Sequence, residues 1–359
     1  MTTMKTSIIT LLFIFVTIAI TAQQKLKVVV AGLSHDHAHV IMNEYKEGKV
    51  SITGIVESDK DLIARYSKSY KLDRSIFYSD LKTALDKLKP DAVLAYNPVS
   101  EHIDVARIAL PMQIPVMVEK PLATTLKDAK EMAKLSRDNS TPLLTNYETT
   151  WYGSNQTLAV KVKNTNFGTI KKMIAKDGHE GPKEIGCSAE FLDWLTDPVK
   201  NGGGAIMDFG CYGANLMTWL KNGQKPIAVT AVTRNLKPDV YPKVDDDATI
   251  ILEYEDGNGI IEASWDWSYG IKGLQVYGDS SSFNAVDGNT LEYQKQAQNA
   301  EKVTLTEDFH KDHLTYLQAV INHNVETKND LSSLENNLIV VEILEAAKKS
   351  AKTGERVKL

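Results

Sequence analysis

From Leu26 onward the chain alternates short β-branched runs with helix-period segments, and that rhythm admits few folds. Parallel strands cannot be joined by tight turns, so strand–helix–strand repetition specifies a parallel sheet with crossover helices on its faces. The predicted strands are Val28–Ala31, Ser51–Glu57, Ala92–Tyr96, Val116–Glu119 and Pro142–Thr145. A helix is predicted over Leu126–Arg137, because Leu126, Ala129, Met132, Ala133 and Leu135 give it one apolar face. This first unit spans residues 23–146.

The second unit, residues 147–359, opens with helical and mixed segments and then changes period. Ala248–Tyr254 and Ile260–Trp267 alternate around Asp256-Gly257-Asn258-Gly259, a hairpin signal. Further strands are expected at Lys272–Tyr277, Leu291–Gln294 and Val303–Thr306, and helices at His310–Asn324 and Leu334–Ala351 before Gly354. The expected fold class is α/β: a doubly wound parallel sheet followed by an α+β domain with a large, mostly antiparallel sheet. With 43% hydrophobic residues, both units can bury a core. A net charge of -5 without long single-sign runs offers no footprint for nucleic acid. An exposed antiparallel face would serve a homo-oligomer, formed through the C-terminal sheet.

The N-terminus is a separate object. Lys5 precedes an apolar stretch from Ile8 to Ile20, then Thr21-Ala22-Gln23, which reads as a secretory signal peptide over residues 1–22 with cleavage near Ala22. The run falls short of the roughly 20 residues that cross a bilayer. The mature protein is therefore expected in the periplasm or outside the cell. Cys187 and Cys211 are expected to remain thiols, with Cys211 a compact hydrophobe inside a small-residue helix.

At the first strand end, Gly32-Leu33-Ser34-His35-Asp36-His37 occupies the place where a Rossmann domain holds a pyrophosphate. Only the first glycine of a G-x-G-x-x-G loop is present; Ser34 and His37 replace the others. Glu57, at the end of the second predicted strand, could accept the ribose hydroxyls of an adenosine and would favour NAD over NADP by repelling a 2′-phosphate. Gly32, Ser34, His35 and Glu57 are thus candidate cofactor residues. Of His35, His37 and His39, only His35 and His39 share a helical face, and no acidic or Cys partner stands at a recognisable spacing, so no metal site is expected.

Glu119-Lys120-Pro121 within Val-Met-Val-Glu-Lys-Pro-Leu-Ala resembles the Gfo/Idh/MocA family of glucose-fructose oxidoreductases and inositol dehydrogenases. Tyr96-Asn97-Pro98 with His102 is similar to that family's nicotinamide-side loop. The run from Asn201-Gly202-Gly203-Gly204 through Asp208, Tyr212 and Asn215 resembles its second signature. Tyr212 and Asn215 stand where His and Asp are usual, which looks closer to the glucose-fructose oxidoreductase branch. The resemblance implies a nicotinamide cofactor, NAD or NADP, approached by Asn97, His102 and Glu119. It implies that Lys120 holds the substrate hydroxyl and stabilises alkoxide, and that Tyr212 moves the proton, its phenolate made accessible by the nearby ammonium. Asp208 would orient Lys120 or bind substrate. His179, Trp194 and Asn215 are candidate substrate residues, Trp194 by stacking on a sugar ring.

Hydride transfer from a carbinol carbon requires a group that takes the hydroxyl proton. The leading expectation is an oxidoreductase for a sugar, sugar derivative or cyclic polyol. Two alternatives stay open at this stage: a redox-neutral NAD-dependent glycosidase on the same fold, and a binding protein that has lost its cofactor.

Overall fold

The computed structural model describes residues 25–164 and 167–359; the expected signal peptide, residues 1–22, lies outside the described residues. The first sheet comprises β1 (Lys27–Ala31), β2 (Ser51–Val56), β3 (Phe77–Tyr78), β4 (Ala92–Ala95), β5 (Val116–Glu119) and β6 (Leu143–Asn146). Its order is β3-β2-β1-β4-β5-β6 with every pair parallel, the doubly wound arrangement whose strand order reverses between β1 and β4. Helices α1 (Ala38–Lys46), α2 (Lys60–Tyr70), α3 (Leu81–Leu88), α4 (His102–Ala109) and α5 (Leu126–Asp138) cover it. Side-chain caps set several starts: Asp59, Asp80 and Thr125 each accept backbone N–H groups of the first turn. Strands β4 and β5 are buried along their whole length, which is why they read as continuous apolar runs.

The second half begins with α6 (Gly153–Asn164), then β7 (Lys172–Gly178), α7 (Ala189–Leu195), α8 (Ala205–Asp208) and α9 (Gly210–Leu220). Strands β8 (Ala228–Arg234), β9 (Asp247–Tyr254), β10 (Gly257–Ser264), β11 (Ile271–Tyr277), β12 (Ser281–Asp287), β13 (Thr290–Lys295) and β14 (Glu301–Lys302) follow, then α10 (His313–Ile321), α11 (Leu334–Thr353) and β15 (Val357–Lys358). The sheet order is β14-β13-β12-β11-β7-β10-β9-β8-β15, antiparallel except for the β7–β10 pair. Helix α9 lies on the inner face. A Cβ on Gly213 would come within 2.7 Å of Ile261, so glycine there permits the close approach. Helix α10 returns to the first sheet, where Leu314, Tyr316, Leu317 and Val320 pack with Leu26, Val28 and Ile41.

Several boundaries differ from expectation for local reasons. The hairpin turn is Glu255-Asp256, because Gly257 already pairs with Tyr254. A Cβ at Gly257 would sit 2.5 Å from the Lys171 carbonyl oxygen, so that glycine serves close packing beside β7. The strand expected at Val303–Thr306 is absent. After Val303 donates to Leu291, the chain turns onto α6, where Thr306 N–H donates to Thr157 Oγ1 at 2.9 Å. Helix α10 starts at His313 because Asp312 caps it. Strands β3, β7, β8, β12, β14 and β15 have no counterpart in the sequence reading.

Candidate active site

The nucleotide side is built at the carboxyl ends of β1, β2 and β4, the crevice in which doubly wound sheets bind ligands. Gly32 has φ +81°, and a Cβ there would lie 2.7 Å from Asn97 Cβ, so the turn tolerates no side chain. Glu57 ties this turn to β2: one carboxylate oxygen accepts Leu33 N–H at 3.0 Å, and the other accepts Ser58 and Asp59 N–H at 2.8 and 2.9 Å. A cleft of about 700 Å³ opens here, bordered by Gly32, Ser34, Glu57, Asp59, Asn97 and Trp194. The Asn97 side-chain oxygen is buried without a partner. A side chain–free turn, an acidic residue across the cleft and an unmatched amide fit a dinucleotide.

The missing glycines are explained by helix α7, which docks on the turn from the second half of the chain. Ser188 donates to both Asp36 carboxylate oxygens, through its hydroxyl at 2.5 Å and its N–H at 3.0 Å. The Trp194 indole N–H donates to the Ser34 carbonyl at 3.2 Å. His37 turns away from the cleft, its Nδ1 donating to Glu119 at 3.0 Å.

The second signature places Asp208 through its glycines. A Cβ on Gly204 would sit 1.7 Å from the Asp245 carbonyl oxygen, and the Asp245 carboxylate accepts N–H from Gly204 and Ile206 at 2.9 and 2.7 Å. This fixes the start of α8, and Asp208 at its end meets Lys120 at the end of β5. The two form a buried ion pair, 6% and 7% exposed. The Lys120 ammonium also donates to the Asp208 carbonyl at 3.3 Å, and Trp265 Nε1 donates to the second Asp208 carboxylate oxygen at 2.9 Å. Tyr212, one turn later on α9, lies with its ring 5.2 Å from the Lys120 ammonium and 5.0 Å from that of Lys272.

Burial alone would lower the Lys120 pKa, but the Asp208 carboxylate outweighs it and holds the ammonium above the ordinary lysine value. The same pairing keeps Asp208 below the ordinary carboxylate value against its own burial. Burial drives the Tyr212 phenol well above its usual value, and Glu148 adds to this. The expected accessible phenolate is therefore corrected: burial outweighs the ammonium beside the ring, and Tyr212 is held as a phenol.

Two family models match: an oxidoreductase family with an NAD-binding Rossmann fold over residues 26–147, and a Gfo/Idh/MocA C-terminal domain over residues 155–284. The chain belongs to the Gfo/Idh/MocA family. A trans-1,2-dihydrobenzene-1,2-diol dehydrogenase of Xenopus laevis is 28% identical over 163 residues, 45% of this chain and 44% of that protein. The chain thus spans under half of that relative's length. The D-glucoside 3-dehydrogenase of Escherichia coli (strain K12) is 24% identical, over 84% of this chain and 88% of that protein. The aldose-aldose oxidoreductase from Caulobacter crescentus, solved in complex with glycerol, shares the fold with a TM-score of 0.79 at 20% identity, covering 94% of this chain and 100% of that one.

In this Gfo/Idh/MocA chain, several expected site residues take other places. Asn215 is not a substrate residue. It is fully buried, donating to the Leu331 carbonyl at 2.8 Å and to Asn337 at 3.3 Å, and so ties α9 to α11. Trp194 borders the nucleotide cleft instead of the substrate side. His102 is fully buried and does not border the cleft; its Nδ1 donates to the Leu122 carbonyl at 3.2 Å, bracing the segment after Lys120, and burial pushes its pKa down to about 4. His35 packs between His37, Phe191 and Trp194 behind the cleft, 1% exposed, with burial and then His37 lowering its pKa. Glu119 is likewise behind the cleft, held by His37 and by Asn146 at 2.9 Å; although burial opposes it, these partners keep it ionised. His179 lies near Asp208, its ring edge-on to Phe209 at 4.9 Å, and burial lowers its pKa.

The fold also assembles groupings, and some residues, that sequence reasoning passed over. Glu119 reaches His37 across 82 positions, and ligand-type atoms of His35, His37 and Glu119 lie within 4.8 Å of one another. No spacing could show this. His37 backbone N–H also donates to His35 Nδ1 at 3.1 Å, while His35 Nε2 is buried without a hydrogen-bond partner. Asp177, Lys272 and Glu148 enter the site from β7, β11 and the segment after β6. Asp177 could have been found by its alternation with Met173 and Ala175, and Lys272 by its alternation with Leu274 and Val276.

Proposed function

We propose that this protein is a nicotinamide-dependent oxidoreductase acting on a hydroxyl or carbonyl of a sugar, sugar derivative or polyol. The observation that carries the reading is the buried Lys120–Asp208 pair with the Tyr212 ring beside it, in a chain whose first sheet carries the nucleotide cleft. The bound nicotinamide supplies the hydride acceptor or donor. Lys120 holds the substrate oxygen and stabilises negative charge on it, Asp208 keeps Lys120 charged and aimed, and Tyr212 gives its proton to the developing alkoxide in the carbonyl direction. Gly32, Ser34, Glu57 and Asn97 would hold the nucleotide, with Trp194 above the turn. The acidic pair Glu57 and Asp59 in the cleft supports NAD over NADP, because a 2′-phosphate would meet like charge there.

Two further parts of the reading are ours. Export with removal of residues 1–22 is supported by the apolar run after Lys5 and the small residue at Ala22. Self-association through the second sheet is supported by Val232, Ile251, Tyr277 and Val286, exposed on β8, β9, β11 and β12. The function is tested by mixing the purified protein with NAD and a panel of glycosides and polyols and following reduced nicotinamide together with the carbonyl product. Release of aglycone without net reduction would redirect the reading to redox-neutral cleavage. Failure to bind either nucleotide would remove both enzyme readings.

A further inference from the structure

A cavity of about 270 Å³ is bordered by Glu148, Tyr152, His179, Lys272 and Asp287, and Lys272 connects it to the Tyr212 ring that also lies near Lys120. Sites for drug-sized ligands run to roughly 300–1,000 Å³, so this one suits a single ring or one end of a longer molecule. Both ammonium groups near the Tyr212 ring already have partners. Lys272 forms an ion pair with Glu148, whose other oxygen accepts the Tyr152 hydroxyl at 2.5 Å, and Lys120 is committed to Asp208. Asp177 is the direct cross-strand neighbour of Lys272 and is 1% exposed, with one carboxylate oxygen lacking a partner. Burial pushes its carboxyl up to about 8 against the pull of Lys272, so it adds no full negative charge at neutral pH. The His179 ring is neutral as well, its Nδ1 accepting Gly181 N–H at 2.9 Å. The wall offers donors and acceptors in plenty, and its lysine, Lys272, is not left over for an anionic substituent.

We propose that Lys272 and Glu148 are a specificity-determining pair for a neutral polyhydroxylated substrate, the ammonium donating to one hydroxyl and the carboxylate accepting from its neighbour. The proposal rests on the sugar or polyol reading above and adds the class of substrate within it. Adjacent hydroxyls can join the Lys272–Glu148 contact without leaving a charge unmatched. A sugar acid or sugar phosphate would compete with Glu148 for the one ammonium and place two negative groups side by side, which a partly buried site disfavours. Lys272 is 25% exposed and Glu148 47%, so both can be reached from the cavity.

The test compares methyl β-glucoside with methyl β-glucuronide as probes of the full-length protein loaded with NAD, by turnover and, separately, by titration calorimetry. The wild type is expected to favour the glucoside by at least about tenfold. Glu148→Gln frees Lys272 and is expected to shift the ratio toward the glucuronide by about tenfold or more. Lys272→Met is expected to raise KM for the glucoside more than it lowers kcat. A wild type that prefers the glucuronide, or a Glu148→Gln variant that turns over with an unchanged ratio, overturns the pair's role. Binding of the glucoside without turnover counts against the oxidoreductase reading, while the binding ratios still decide the role of the pair. No binding of either probe overturns the substrate class.

Discussion

Lys120 and Asp208 meet as a buried ion pair in which the second carboxylate oxygen is already committed to the Trp265 indole. Neither charge can turn to water when its partner is lost. Removing one partner of such a pair costs about 3–5 kcal/mol, whereas replacing both is far milder. Lys120→Met is therefore expected to abolish hydride transfer and to lower stability by about that amount, and adding Asp208→Asn should restore most of the stability but none of the activity. Denaturant unfolding of the single and double variants, with activity assayed in parallel, checks this.

The protonation states give the reaction a direction in pH. Lys120 and Tyr212 both hold their protons above their ordinary pKa values. Carbonyl reduction uses these protons and is expected to be flat through neutral pH. Alcohol oxidation must lose a proton, so its kcat/KM is expected to rise with pH without levelling before the ordinary lysine value of about 10.4. Profiles measured in both directions on one substrate pair test this; a plateau of oxidation near neutral pH would point to another base.

Asp177 should make stability fall as pH rises. Its folded pKa of about 8 stands above the unfolded value, so its contribution is full below the unfolded pKa and is lost as pH rises through the folded one. The slope for one proton is at most about 1.4 kcal/mol per pH unit, between about pH 4 and 8. Glu119 and Asp208 act oppositely, with stability lost on acidification, because their folded pKa values are depressed. Asp177→Asn is expected to remove this fall between about pH 4 and 8 and to leave the acid-side loss from Glu119 and Asp208 in place, measured as Tm against pH.

Gly32 tests the nucleotide cleft. At φ +81° and 2.7 Å from Asn97, an added Cβ must move the turn. Left-handed backbone alone costs an ordinary residue about 1–2 kcal/mol. Gly32→Ala is expected to weaken NAD binding by about tenfold or more, read by fluorescence titration. Unchanged affinity would mean that the nucleotide does not use this turn.

Much of this was legible before the fold was known, for identifiable reasons. The parallel strands are buried on both faces and so wrote themselves as apolar runs at Val28–Ala31, Ala92–Ala95 and Val116–Glu119. Lys120 and Asp208 were legible because each ends a short, glycine- or proline-marked motif. The misplacements share another cause. Asn215 lies on α9 one turn beyond Tyr212, but on a helix buried nearly all round the helical spacing does not say which neighbour a polar side chain meets; here it meets α11. Lys272 and Glu148 are 124 positions apart and belong to different elements, so only the packing of β11 beside the segment after β6 brings them together. Ser34 and His37 weakened the nucleotide motif because the contacts that hold this turn come from Ser188, Trp194 and Glu119, far along the chain.

The central claim is that Lys120 activates a substrate oxygen for hydride exchange with a bound nicotinamide. It is tested most directly by single-turnover mixing of NAD-loaded wild type and Lys120→Met with methyl β-glucoside, following reduced nicotinamide alongside nucleotide occupancy. The account predicts reduced nicotinamide in the wild type and none in the variant at equal occupancy. Equal reduction in both proteins would contradict it.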